Sequence, residues 1–206
     1  MIGIIDYGAG NLQSVYKAVK HIGAECKIVA DTDELLKCDG AILPGVGSFA
    51  DAMDCMEKSH LVEAVKEYAL GDKPFLGICL GLQLLFPESE ESPGAKGLAL
   101  LEGSIRKIPN NSGKLKIPHM GWNSLNIKKS DGIFKGVPDG SYVYFVHSYY
   151  LTAKDSSIVS AETEYGTKID AAVERGNLIA TQFHPEKSGS VGLKMLKNFV
   201  DMTKEG

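Results

Sequence analysis

Arginine is nearly missing from this chain: Arg106 and Arg175 are the two among 22 basic residues, which face 26 acidic ones for a net charge of −4. A protein that tracks a phosphate backbone needs a basic stripe, so nucleic-acid binding is disfavoured. The four cysteines, Cys26, Cys38, Cys55 and Cys79, include no C-x-x-C pair, which argues against a zinc site. Long apolar runs are also lacking. The longest, Phe75 to Phe86, is interrupted by glycines and Gln83 and is too short to span a bilayer. The N-terminus has no basic region ahead of its apolar residues and reaches an acid at Asp6, unlike a signal peptide. Internal repeats and low-complexity tracts are not visible. These absences leave a cytoplasmic protein with reduced thiols, without metal or cofactor, as the expectation. What is present is ordinary for a globular chain: 206 residues, 44% hydrophobic and 23% charged. One domain over residues 1–206 is expected, with roughly 9,000 Å² exposed and about 70% of the unfolded surface buried, so no disulfide or metal staple is required.

Short apolar runs alternate with helical spacing through the first half. Ile2–Ile5, Cys26–Val29, Ala41–Leu43 and Phe75–Cys79 have strand length and turn signals at their ends. Between them, Asn11 caps a helix carrying Leu12, Val15, Tyr16, Val19 and Ile22 and stopping at Gly23. Ser48 caps another with Phe49, Met53 and Met56; Leu61 to Ala69 continue the pattern, and Leu80–Phe86 is expected to be helical. Such alternation predicts a parallel sheet with helices on both faces. From about residue 98, strand-like runs at Leu100–Ile108, Tyr142–Tyr150, Ile158–Glu164, Ala171–Arg175 and Leu178–Phe183 follow one another, and a last helix carries Leu193, Leu196, Phe199, Val200 and Thr203. The expected class is α/β: three layers, flavodoxin-like or α/β-hydrolase-like, mostly parallel, with an antiparallel extension in the second half.

The sharpest local pattern is Gly77-Ile78-Cys79-Leu80-Gly81, between a predicted strand and a predicted helix. A nucleophile on a tight strand-to-helix elbow needs small residues two positions away, and the helix N-terminus favours its thiolate. A buried cysteine in an apolar strand is the plainer reading. His184-Pro185-Glu186 ends another strand and offers a base with a carboxylate to orient it; a plain strand end with turn residues is the alternative. Taken together, both lie where α/β sheets bind ligands, at the carboxyl ends of strands, and a Cys79–His184–Glu186 triad becomes the favoured reading. Pro44-Gly45-Val46-Gly47 is either an ordinary turn or a glycine-flanked donor loop for an oxyanion, with the Leu80 N–H as a second donor. Gly8-Ala9-Gly10 fails as a dinucleotide motif because Gln13 replaces its third glycine. His21, His60, His119 and His147 are not spaced as metal ligands, and His21 and His60 are expected at the surface. Trp122, the one tryptophan, is either core filling or an interface anchor.

Gly77-Ile78-Cys79-Leu80-Gly81-Leu82-Gln83 together with His184-Pro185-Glu186 resembles the class I (triad) glutamine amidotransferases. Further segments are similar to one branch of that family: Asp6-Tyr7-Gly8-Ala9-Gly10-Asn11, Pro44 to Phe49, Pro93 to Leu98, Pro118-His119-Met120-Gly121-Trp122-Asn123 and Tyr144 to Tyr149. Members of that branch pass ammonia from glutamine to a (β/α)8 cyclase subunit, which makes imidazole glycerol phosphate and aminoimidazole carboxamide ribotide in histidine biosynthesis. The resemblance implies Cys79 as nucleophile, His184 as base and then acid, and Glu186 as orienter. It implies that Gly47, Gln83, Ser148 and Tyr149 hold glutamine, with Glu91 on its amino group. The Val46 N–H would turn toward the site to complete an oxyanion hole with Leu80, and Asn11, Trp122 and Lys187 would meet the partner. Three other readings remain: a paralogous glutaminase serving another barrel, a free-standing γ-glutamyl hydrolase, and a flavodoxin-like binding module with an incidental cysteine.

Overall fold

Apolar runs too short for helices become the inner strands. In the computed structural model, which describes residues 1–110, 113 and 115–204, these are β1 (Ile2–Ile5), β2 (Cys26–Val29), β3 (Gly40–Gly45) and β4 (Phe75–Cys79). They run parallel in the order β2-β1-β3-β4, and β12 (Leu178–Thr181) pairs parallel with the far side of β4. Beyond β12 the same eight-stranded sheet continues antiparallel through β11 (Lys168–Arg175), β10 (Val159–Glu164) and β7 (Asn126–Ile127). Two antiparallel ribbons stand apart: β5 (Gly103–Lys107) with β9 (Tyr149–Ala153), and β6 (His119–Ser124) with β8 (Tyr142–His147).

Side chains alternate across the inner strands, so each strand feeds two cores. Ile2, Ile4, Ile42, Leu76, Ile78 and Ile179 pack with α1 (Leu12–His21) and α6 (Gly189–Met202) on one face. Ile5, Ala41, Leu43, Phe75 and Ala180 pack with α3 (Phe49–Lys58) and α4 (Val62–Leu70) on the other. Three layers result, with 9127 Å² of accessible surface. Among the described residues no helix is long and apolar enough to cross a membrane.

Several expected boundaries move. The helix expected over Leu80–Phe86 is regular only as α5 (Leu80–Gln83). Leu85 and Phe86 then donate to the carbonyls of Leu82 and Gln83, a tighter winding that Pro87 ends. The run Tyr142–Tyr150 breaks at Ser148 into β8 and β9. Leu100 and Leu101 enter the core ahead of β5 rather than within it. A short helix that the apolar spacing does not announce, α2 (Thr32–Leu36), is capped by Asp31, whose side chain accepts from the Glu34 N–H at 3.1 Å. Strand β6 is likewise unannounced, because its exposed half carries Met120, Trp122 and a glycine at φ +133° instead of an apolar alternation.

Candidate active site

Cys79 ends β4 and precedes α5 with φ 57° and ψ −107°, a backbone conformation that costs a non-glycine residue on the order of 1–3 kcal/mol. The glycines around it are a steric necessity. A Cβ on Gly77 would lie 2.8 Å from the Gly81 carbonyl oxygen, and one on Gly81 would lie 2.0 Å from that of Leu43. The elbow therefore closes only where β3, β4 and α5 approach backbone to backbone.

The neighbouring strand leads into His184. The His184 N–H donates to the Tyr144 carbonyl at 2.9 Å, and the Ser188 hydroxyl donates to the His184 carbonyl at 2.6 Å while accepting from the Tyr144 N–H at 3.0 Å. Pro185–Lys187 forms a single 3-10 turn rather than extended chain. That turn brings Glu186 Oε1 to 2.8 Å from His184 Nδ1, with the two side chains 1% and 2% exposed. A carboxylate there holds the proton on Nδ1 and leaves Nε2, which is buried and otherwise unpartnered, for the sulfur. Burial by itself pulls the His184 pKa down; hydrogen bonding and charge from Cys79 and Glu186 outweigh it and push the value up to about 9.

A cavity of about 310 Å³ opens over Cys79 and His184. Its walls include Val46, Gly47, Leu80, Gln83, Glu91, Ser148, Tyr149 and Lys187. Every residue named from the sequence for the oxyanion or for glutamine thus reaches one space. Glu91 Oε2 accepts the Phe49 N–H at 2.8 Å, so this acid is fixed at the start of α3. Gly47 has φ +96° and Val46 is 43% exposed at the mouth.

The three residues expected at a partner surface are less tightly grouped. Trp122 is 55% exposed, which removes core filling as its role. Its ring meets that of Tyr144 edge-on at 6.1 Å, and Lys187 Nζ lies 6.0 Å over the same Tyr144 ring. Asn11 stands half-buried at the start of α1 without a capping bond from its side chain.

Three side chains make contacts that their places in the sequence do not announce. Gln182, fully buried, donates to the Cys79 sulfur at 3.7 Å. His147 and His119, opposite each other in the β6–β8 register, join by a 3.0 Å bond. His147 Nδ1 donates to the Tyr149 carbonyl at 2.8 Å, so its Nε2 must accept from His119 Nδ1. His119 is stacked between Phe145 and Tyr165. Burial lowers the His119 pKa to about 4 and, with the positive charge His119 and His184 would place nearby, that of His147 to about 3. His21 and His60 are exposed, as expected. Among the described residues no cluster of His, Cys, Asp and Glu is arranged to hold a metal ion.

The chain is matched over residues 3–202 by the family model described as glutamine amidotransferase class-I. It is 50% identical over 204 residues to the imidazole glycerol phosphate synthase subunit HisH of Caldanaerobacter subterraneus subsp. tengcongensis, covering 99% of each chain. It is 49% identical over 204 residues to the subunit of the same name from Methanosarcina barkeri, covering 98% of each. A solved structure of PurLQS from Thermotoga maritima superposes with a TM-score of 0.75 at 22% identity, covering 97% of each chain, a likeness of fold.

Proposed function

The chain belongs to the class-I glutamine amidotransferase family, and from that membership we propose that it is the glutaminase subunit of an imidazole glycerol phosphate synthase. It hydrolyses glutamine to glutamate and ammonia and delivers the ammonia to a (β/α)8 cyclase partner in histidine biosynthesis, in the cytoplasm and without a cofactor. The observation that carries the reading is a cysteine strained at an elbow, facing a histidine biased toward its imidazolium, beneath a cavity of about 310 Å³. A thiolate paired with an imidazolium is the ground state that amide cleavage by sulfur requires.

In this scheme the Cys79 sulfur attacks the side-chain amide carbon of glutamine, and the negative charge moves to the amide oxygen. The N–H groups of Leu80 and Val46 receive that oxyanion. His184 gives its proton to the departing nitrogen, so ammonia leaves and a thioester remains. His184 then takes a proton from water, the water oxygen attacks the thioester, and glutamate departs as the sulfur is restored. Glu186 keeps the imidazole in the required tautomer throughout. Gly47, Gln83, Ser148 and Tyr149 line the space for glutamine, with Glu91 the acid for its amino group. Asn11, Trp122 and Lys187 form the docking surface for the barrel. The flanks of Val46, Gly45 and Gly47, are free of side chains, so its peptide can turn on docking.

The test is glutamine hydrolysis by the chain alone, with the barrel, and with barrel and nucleotide ligand. Turnover should rise by about 10²–10³ across the series, the worth of one oxyanion donor. Cys79→Ser should abolish glutamine-dependent synthesis and spare ammonia-dependent synthesis by the partner. Equal turnover in all three states favours a free-standing γ-glutamyl hydrolase instead.

A further inference from the structure

Gln182 lies two residues before His184, is fully buried, and takes no part in the scheme above. A buried side-chain amide needs partners for both its ends, and the atoms around this one allow a single arrangement. Gln83 Nε2 lies 3.1 Å from the Tyr149 carbonyl oxygen, which only accepts, so the nitrogen end of the Gln83 amide faces Tyr149. That nitrogen also lies 3.0 Å from the Gln182 amide, so the Gln182 atom turned toward it is the oxygen. The Gln182 nitrogen therefore points the other way, and it sits 3.7 Å from the Cys79 sulfur.

An N–H directed at a thiol is a weak contact, whereas one directed at a thiolate is charge-assisted and stronger. The amide neither gains nor loses a proton near neutrality. It favours the ionised sulfur without competing with His184 for the proton. We infer that Gln182 is a further catalytic residue, whose side-chain N–H donates to the Cys79 thiolate and holds it ionised and aimed, with Gln83 fixing the amide in the orientation this requires. The inference deepens the glutaminase reading and rests on Cys79 being its nucleophile. It gives Gln83 a second task. Bonds from the Tyr149 carbonyl through Gln83 and Gln182 to the sulfur join the wall of the substrate cavity to the charge on the nucleophile.

Gln182→Met keeps the length of the side chain and removes the donor; Gln182→Glu keeps its shape and sets a negative charge beside the sulfur. The measurement is iodoacetamide labelling of Cys79 in the docked complex, read by mass spectrometry against Cys55, the half-exposed thiol. At neutral pH, labelling of Cys79 should slow about tenfold in Gln182→Met and further in Gln182→Glu, because a donor to a charged group is lost. The loss in Gln182→Met should be recovered at alkaline pH, with Cys55 labelling the same in variant and parent at each pH. For glutamine, kcat should fall in proportion while KM stays near its original value, since the sulfur and not the substrate has lost a partner. Should the variants fail to fold, the unaltered protein decides. The side-chain amide protons of Gln182, assigned by selective nitrogen labelling, should shift as Cys79 ionises, and that shift should vanish once Cys79 is alkylated. Unchanged Cys79 labelling in Gln182→Met, or amide protons indifferent to Cys79, would overturn the inference. A Gln182-dependent thiolate in a protein that does not hydrolyse glutamine would overturn the glutaminase reading, and with it the catalytic role of Gln182, and leave only its bond to the sulfur.

Discussion

Replacing Glu186 with Gln keeps the shape of the side chain and removes one charge from a place that water does not reach. His184 and Glu186 stand 2.8 Å apart and are 2% and 1% exposed. Burial opposes the imidazolium, yet Cys79 and Glu186 raise the His184 pKa from 6.5 to about 9. That net rise corresponds to about 3 kcal/mol in favour of the protonated ring. Removing the carboxylate takes away one of the two groups that hold the ring protonated, so kcat should fall on the order of tenfold. The neutral amide still accepts from Nδ1, so the tautomer survives and the loss stays below that of His184→Ala. The sign on pH is definite. Ammonia departs only if the ring is protonated, so turnover falls as pH rises through the His184 pKa. Without the Glu186 charge that pKa drops, and the alkaline limb should move down from about 9 by roughly one pH unit. The assay is glutamate release across pH, with the barrel and its ligand present. An unchanged alkaline limb with unchanged kcat in Glu186→Gln would refute the reasoning and leave a Cys–His dyad.

Three more expectations follow from the same geometry. Gly81→Ala sets a Cβ 2.0 Å from the Leu43 carbonyl oxygen, which forces backbone apart; stability by urea unfolding should fall by about 3 kcal/mol and glutamine turnover should collapse, whereas normal stability would disprove the elbow sterics. His119 and His147 are held neutral, with pKa values lowered to about 4 and 3, so the contribution of this pair to stability should be full above pH 6.5 and be lost as pH falls from there through 4 and 3, because the unfolded chain takes up those protons first. His119→Phe should flatten that acid decline in unfolding titrations, and an unaltered slope would count against the pair. Trp122→Ala should change the stability of the isolated chain by no more than about 0.5 kcal/mol yet weaken calorimetric binding of the barrel by about 2 kcal/mol or more; unchanged binding would remove Trp122 from the docking surface.

The elbow was legible because its constraint is local. Gly77 and Gly81 sit two positions either side of Cys79, and close backbone approach writes that spacing directly into the chain. His184-Pro185-Glu186 was legible for the same reason, since its residues meet within a single 3-10 turn. The parallel order of the inner strands followed from apolar runs alternating with helices. Gln182 was not legible: its role depends on Gln83 and Tyr149, which lie 99 and 33 positions away in the chain, meeting it in the fold. Nor was the His119–His147 bond, which exists only in the β6–β8 register. Trp122 had two readings until the exposure of its ring removed core filling. The short α2 did carry a signal, Asp31 with Glu34 three residues on, but no apolar period to draw attention to it.

The position of β12 has a consequence for how the molecule comes into being. It lies between β4 and β11, so β4, buried on both faces, gains its second neighbour from a strand that begins at Leu178. A chain emerging from the ribosome presents an apolar strand edge from Cys79 onward and has nothing to cover it until nearly a hundred further residues have been made. Closing so long a loop is slow, and the open edge invites pairing with other nascent chains in the meantime. The strand that ends this exposure also carries His184 into place. Folding intermediates that still display the open edge therefore hold Cys79 without His184 beside it, and present an unpaired apolar strand edge of the kind that chaperones cover.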